Sequence, residues 1–297
     1  MRDQAMARER GRGLCISRGK HRVFVGTTHL PLTHWPGYTN GRRLRHMAKD
    51  NWTRDELILA FNLYCKIPFG KIHIRNPQII SLAKAIRRTP SAVSWKLANF
   101  ARLDPTLKSR RIHGAPHGSK AEEGIWDEFN GNWEALAFES ERLLAKVTGR
   151  DIGQMVESLP EGRSAQRTVF VRVNQSFFRS AVLAAYGSKC CITGLAVPEL
   201  LTASHIIPWS VDEKNRTNPR NGLCLNATHD RAFDCGLLTV TPDYHVRLSP
   251  ILKPRSKDPA LAAFLLRYDK KSIALPERFR PEPAFLEYHN RKVFRAS

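Results

Sequence analysis

Between residues 47 and 104, apolar positions recur at the spacing of three short amphipathic helices. The first begins with Thr53 followed three residues later by Glu56, which is the capping-box pattern of a helix N-terminus. Pro77 and Pro90 open the second and third, because proline is favoured at the first helical position. The pattern therefore predicts an all-α, helix-turn-helix-like domain over residues 47–104.

This helical pattern resembles the Myb/SANT-like tri-helical family. The resemblance rests on Trp52-Thr53 at the first helix and on residues 88–93 (RTPSAV) at the start of the third. In that family the third helix often enters the DNA major groove, so the resemblance implies DNA binding, with Lys96 as a candidate contact. The alternative is a module used only for packing or protein contact.

The composition changes on both sides of this region. Residues 1–46 hold ten Lys/Arg and two Asp/Glu without periodicity. We expect a disordered basic extension or an over-extended gene start, with a DNA-following arm as the functional alternative. Residues 105–162 combine polar linkers with an acidic helix at 121–147.

Residues 163–297 mix strand-like and helical patterns, so the fold class of the chain is predicted to be α+β. In order, the predicted elements are a β-like segment at 169–173, a helix at 175–186, strands at 200–207 and 222–225, a short helix ending near residue 233, a hairpin across 242–243 and a helix at 258–268.

The charge balance points to a polyanionic partner. The chain has 48 Lys+Arg against 27 Asp+Glu, a formal net charge of +21, which favours nucleic acid. No apolar run approaches the ~20 residues needed to cross a bilayer, so no membrane association is expected. The six cysteines include no Cys-x-x-Cys pair, and no secretory signal precedes them. We therefore expect reduced thiols in a cytoplasmic protein, without a zinc knuckle.

Candidate chemistry is concentrated at His205, Asn221 and His229, which are separated by 16 and 8 residues. Phosphodiester hydrolysis needs a base for the attacking water, and histidine can take that proton near neutral pH. A divalent cation can stabilise charge on the phosphoryl group and the leaving oxygen. If the short helix packs against the hairpin, we expect His229 to point at His205 across a small gap.

The sequence around these residues resembles the HNH endonucleases of the ββα-metal fold. The motifs are Cys191-Ile192-Thr193-Gly194-Leu195, Ser204 to Trp209, Asn221 to Leu225 and His229 to Gly236, preceded by a helix with Phe178-Arg179. The resemblance implies His205 as general base, Asn221 as the residue that orients the base loop, and His229 as metal ligand. It also implies one divalent cation, with Mg²⁺ or Mn²⁺ expected and Zn²⁺ or Ni²⁺ as alternatives.

One departure bears on the metal. Many HNH nucleases carry Asp or His before the base, where this chain has Ser204, a poor ligand. Asp212, Asp230 and Asp234 are candidates to compensate, although helical geometry places Asp230 and Asp234 off the face of His229.

These observations favour a metal-dependent DNA endonuclease of restriction or defence type that leaves 5′-phosphate and 3′-hydroxyl ends. Arg179, Arg220 and Arg231 are candidate phosphate contacts beside Lys96. A double-strand cut by a one-site nuclease would suggest a homodimer. The alternatives are a DNA-binding regulator with a decayed HNH module and a nuclease acting on RNA or modified DNA.

Overall fold

The computed structural model describes residues 51–110, 118–149 and 165–296. All of them belong to one compact unit, Asn51–Ser297. The predicted basic extension at 1–46 and nearly all of the linker at 149–162 lie outside the described residues. Within the described part of the chain, no helix is both long and apolar enough to cross a membrane.

The three helices predicted at the N-terminal end of this unit are present. They are α1 (Arg54–Lys66), α2 (Pro77–Ala85) and α3 (Pro90–Leu103). The capping box predicted for α1 is complete, since Thr53 and Glu56 each bond the other's backbone N–H. The apolar face of α1 is buried, because α1 lies against α2 and α3 and against helices from later in the chain.

Three more helices follow α3. The region predicted as linker and one acidic helix contains α4 (Pro105–Ser109), α5 (Lys120–Phe129) and α6 (Trp133–Thr148). Two of them, α5 and α6, pack against α1. Asn130 ends α5, and Gly131, at a φ of 102°, makes the turn into α6. An aromatic cluster joins these helices, with Phe61 of α1 packed against Phe100, Trp126 and Trp133.

A long helix, α7 (Ala165–Ala185), leads into the second half of the chain. The β-like segment predicted at 169–173 is therefore wrong. Val173, Phe177, Ala181 and the neighbouring Phe178 and Val182 are buried at helical spacing, and burial of that stripe outweighs the weak β preference of valine. Gly187, at a φ of 60°, follows the end of this helix.

The next elements form a ββα unit. Strands β1 (Leu201–His205) and β2 (Gly222–Asn226) pair antiparallel, with His205 opposite Gly222, and α8 (Ala227–Asp234) packs against both. The predicted hairpin follows as β3 (Leu238–Val240) and β4 (Val246–Leu248). The helix predicted at 258–268 is shorter, α9 (Pro259–Phe264) with a 3₁₀ turn after it, and α10 (Pro283–Lys292) packs on β3. The described residues form many helices and two small antiparallel sheets, which fits the predicted α+β class.

A buried arginine ties the C-terminal segment to α1. Arg278 is fully buried, and its guanidinium donates to the carbonyl oxygens of Tyr64, at 2.6 Å, and of Ile67. It also lies over the Tyr64 ring, 4.3 Å from the ring centroid. The guanidinium donates to carbonyl oxygens that have no partner within the helix at the C-terminus of α1, where a cation is also favoured by the helix dipole.

Candidate active site

A cleft of about 380 Å³ lies where β1 and the loop after it meet α8 and α10. Its lining includes Ser204, His205, Trp209, Asp230, Asp234 and His289. The cleft therefore gathers one predicted catalytic residue and two of the three aspartates considered as compensating ligands.

Only one of the two ring nitrogens of His205 has a hydrogen bond among the described residues. Its Nε2–H donates to the carbonyl oxygen of Arg216, at 2.9 Å, and its ring stacks on Phe178 with centroids 3.7 Å apart. Trp209 contacts the ring edge-on. With Nε2 protonated, Nδ1 is the nitrogen that carries a lone pair. Burial lowers the pKa of His205 and outweighs the Arg216 carbonyl, which raises it, so this imidazole is neutral at pH 7.

Asn221 holds the loop that supplies the Arg216 carbonyl. Its Oδ1 accepts from the Ile207 N–H at 2.8 Å, and its Nδ2 donates to the Ile207 and Asn215 carbonyls at 3.1 and 3.3 Å. The side chain is buried, and these bonds join the two ends of the loop. Its geometry is consistent with the role that the sequence suggested for it, orienting the loop beside the base.

Phe178 supports His205 from α7, and Gly222 makes room for it. A Cβ placed on Gly222 would lie 2.4 Å from Val182 Cγ2 and 3.0 Å from Phe178 Cζ. Because His205 pairs with Gly222 across the sheet, the missing side chain lets α7 approach the strand that ends at His205. The sequence showed Phe178 only as part of a helix motif.

We expect Phe178→Leu to raise the pKa of His205 towards its ordinary value. The smaller side chain leaves the imidazole better solvated, and burial is what lowers this pKa. An NMR titration of the His205 ring in metal-free protein measures the shift. Leu103→Ala, in α3 away from the cleft, is the control, and an unchanged His205 titration in Phe178→Leu would contradict the argument.

Asp230 and Asp234 form the acidic floor of the cleft, one helical turn apart on α8. Burial raises the pKa of Asp230, against the hydroxyls of Ser204 and Thr202, which lower it. Burial and the charge of Asp230 raise the pKa of Asp234. The Ser204 hydroxyl is buried without a hydrogen bond of normal geometry, although it lies close enough to Asp230 to affect it.

The expected position of His229 is wrong. The residue is buried and does not line the cleft. Its Nδ1 accepts from Asn226 Nδ2 at 3.0 Å, and its Nε2–H donates to the Phe264 carbonyl at 2.8 Å. Tyr268 packs edge-on against the ring. Both nitrogens are thus engaged with protein groups, and neither is left for a cation in this arrangement.

His229 belongs instead to a separate polar cluster with Cys190, Thr193 and Asn226. Asn226 reaches Thr193 Oγ1 at 3.4 Å. Burial raises the pKa of the Cys190 thiol, but hydrogen bonding by His229 and Thr193 outweighs it and brings the pKa to about 7. This cluster joins the turn after α7 to the start of α8 and supports the ββα unit from outside the cleft.

Three of the four predicted DNA contacts are engaged with other protein groups. Lys96 is paired with the buried Glu122 of α5, so α5 covers this side of α3. Arg179 donates to the carbonyls of Leu201 and Pro198, and Arg220 pairs with Glu282 at 2.6 Å. Arg231 is exposed on α8, where its charge lowers the pKa of Asp234.

Part of the chain is similar to a known protein family. Residues 190–241 match the family HNH_2, described as HNH endonuclease. Comparison with curated proteins gives no match. The matched segment includes β1, β2 and α8, and with them His205, Asn221 and Asp230, whereas the three N-terminal helices lie outside it. Residues 190–241 are therefore similar to an HNH endonuclease domain.

Proposed function

We propose that this chain is a metal-dependent DNA endonuclease that cuts at the cleft between β1, α8 and α10. The observation that carries the proposal is His205, a neutral imidazole with one nitrogen bound to a carbonyl, placed in a cleft with two carboxylates. A base and a cation-binding floor in one cavity are the two components that phosphodiester hydrolysis requires.

The base works through the nitrogen that the protein leaves unbound. With Nε2–H fixed on the Arg216 carbonyl, His205 Nδ1 accepts the proton of a water as that water attacks phosphorus. Asn221 fixes the loop that carries this carbonyl, so the ring does not have to be ordered when the substrate binds. The leaving group is the 3′ oxygen, which gives 5′-phosphate and 3′-hydroxyl ends.

The residues at the floor of the cleft fit a divalent cation. Asp230 and Asp234 are partly buried carboxylates with raised pKa values, and the buried Ser204 hydroxyl beside Asp230 has no hydrogen bond of normal geometry. Oxygen donors of this kind suit Mg²⁺ or Mn²⁺ better than Zn²⁺. When bound, the cation would stabilise charge on the phosphoryl group and on the leaving oxygen.

Plasmid cleavage tests this function. We expect the purified protein to nick or cut plasmid DNA with Mg²⁺ or Mn²⁺ and to lose that activity in excess EDTA. Methylated and unmethylated plasmid, assayed in parallel, test the restriction type that the sequence resemblance suggests. Salt-sensitive DNA binding without cleavage under any of these metals would instead support the second candidate, a DNA-binding regulator, which Ser204 in place of a carboxylate favours.

Asp230→Asn is expected to weaken Mn²⁺ binding at least tenfold and to lower cleavage by about 10²-fold, because removing a ligand removes both charge and coordination. Calorimetric titration with Mn²⁺ measures the first effect and plasmid cleavage the second. Asp127→Asn, at an exposed position of α5, is the matched control. Unchanged Mn²⁺ affinity in Asp230→Asn, together with lost affinity in His229→Gln, would place the cation at His229 instead.

A further inference from the structure

The C-terminal helix α10 is built into the cleft although the family match ends at residue 241. His289 and Val293 line the cavity. His289 stacks on Phe233 of α8, accepts from the Thr239 hydroxyl at 2.8 Å through Nδ1 and donates through Nε2 to the Phe233 carbonyl. Burial lowers the pKa of His289 to about 4, so these contacts are made by a neutral ring at pH 7. The wall formed by α10 is therefore fixed to the helix that carries the acidic floor.

Hydrogen bonds also hold the chain that follows α10. The Arg295 N–H donates to the Gly236 carbonyl at 3.0 Å, and the Arg295 carbonyl accepts from the Ser249 hydroxyl at 2.6 Å. Gly236, at a φ of 69°, has no side chain to keep this segment away, since a Cβ there would lie 2.1 Å from the Val293 carbonyl oxygen. The backbone of Arg295 thus has one position relative to the C-terminal end of α8.

Three exposed cations lie on the two segments that contribute Asp230, Asp234 and Val293 to the cleft. Arg231 lies on α8 one residue beyond Asp230, while Lys292 and Arg295 lie on either side of the cleft-lining Val293. All three are exposed, and the described residues give none of them a side-chain hydrogen bond or ion pair, although the charge of Arg231 lowers the pKa of Asp234. The neighbouring Arg291 differs, because Glu287 pairs with it at 2.6 Å.

We propose that Arg231, Lys292 and Arg295 form a phosphate-binding rim that seats the DNA backbone across the cleft. The inference rests on the proposed function and assigns its DNA-binding surface to a segment outside the matched domain. The charges are arranged for a phosphodiester, since the carboxylates of the floor suit a cation and the cations of the rim suit phosphate oxygens. Because the backbone of α10 and Arg295 is held in place before DNA arrives, only the side chains have to be ordered on binding.

Binding is measured apart from cleavage, in a His205→Ala background with Ca²⁺ and a fluorescently labelled duplex, from about 50 to 300 mM KCl. Removing the two C-terminal cations by Lys292→Gln and Arg295→Gln is expected to weaken binding about tenfold or more at 100 mM. The slope of log affinity against log salt should become shallower by about 0.9 for each phosphate that the protein no longer neutralises. The matched control is Lys120→Gln with Lys146→Gln, two exposed lysines on α5 and α6, which do not line the cleft.

If both double variants bind alike and keep the parental salt slope, the rim is wrong while the nuclease proposal stands. If the parental protein shows no salt-dependent DNA binding at all, both the rim and the proposed function are overturned. Equal melting temperatures of the two double variants exclude a folding defect as the cause of weaker binding.

Discussion

Replacing His205 by alanine is expected to lower the rate of DNA cleavage by about 10²–10⁴-fold, the usual contribution of a positioned general base. The loss follows from geometry, because Nδ1 of this ring is the base nitrogen left free of the Arg216 carbonyl in a cleft that also holds Asp230. Single-turnover cleavage of a plasmid at saturating Mg²⁺ or Mn²⁺ measures the rate of the chemical step. The pH profile of the parental protein should have its acid limb below pH ~6.5, since the pKa of His205 is lowered.

His73→Ala is the control for this experiment, because His73 is exposed on the loop between α1 and α2. It should leave the cleavage rate unchanged. The melting temperature of His205→Ala shows whether the loss is catalytic, since the removed ring also stacks on Phe178. A folded His205→Ala protein that cuts at the parental rate would remove His205 from the reaction.

Arg278→Ala is expected to lower the free energy of unfolding by about 3–5 kcal/mol. The change empties the space of a fully buried side chain and leaves the Tyr64 and Ile67 carbonyls without their donor. A buried polar group left unpaired costs about 1–3 kcal/mol, and the cavity adds to that cost. Urea denaturation followed by circular dichroism measures the difference.

Arg280→Ala separates this effect from a general loss of charge. Arg280 lies two residues further along the chain and is exposed, so its replacement should change the free energy of unfolding by no more than about 0.5 kcal/mol. Equal stability of the two variants would show that the Arg278 contact with the end of α1 contributes little to the fold.

The ββα unit could be predicted because its signals are local. Short, largely apolar segments predicted β1 and β2, whereas the pairing of His205 with Gly222 is seen only in the structure. Asn221, at the corner before β2, is recognisable from the motif alone. The capping residues of α1, with Thr53 and Glu56, were predictable for the same reason.

The orientation of α8 could not be predicted, because one residue along a helix turns the side chain by about 100°. His229 and Asp230 are neighbours in the chain, yet one is buried against Phe264 and Tyr268 while the other lines the cleft. The residues that capture His229 come from a segment about 35 positions away. A pattern within the motif contains no information about them.

The partners of charged side chains could not be predicted from the sequence either. Lys96 and Arg220 are as basic in the sequence as Arg231, but Glu122 and Glu282 neutralise the first two in the fold. Secondary structure depends on distant contacts in the same way. Residues 169–173 have a local β preference but are helical, because the helix buries a long apolar stripe.

The sequence by itself determined the excess of positive charge, the three N-terminal helices, the hairpin and the motif that contains His205 and Asn221, because each depends on composition or on residues near one another in the chain. Only the tertiary structure decided that Asp230 and Asp234 share the cleft with His205, that His229 packs outside it, and that α10 closes one wall. Those facts depend on which distant segments are buried together, and burial is a property of the whole packed molecule.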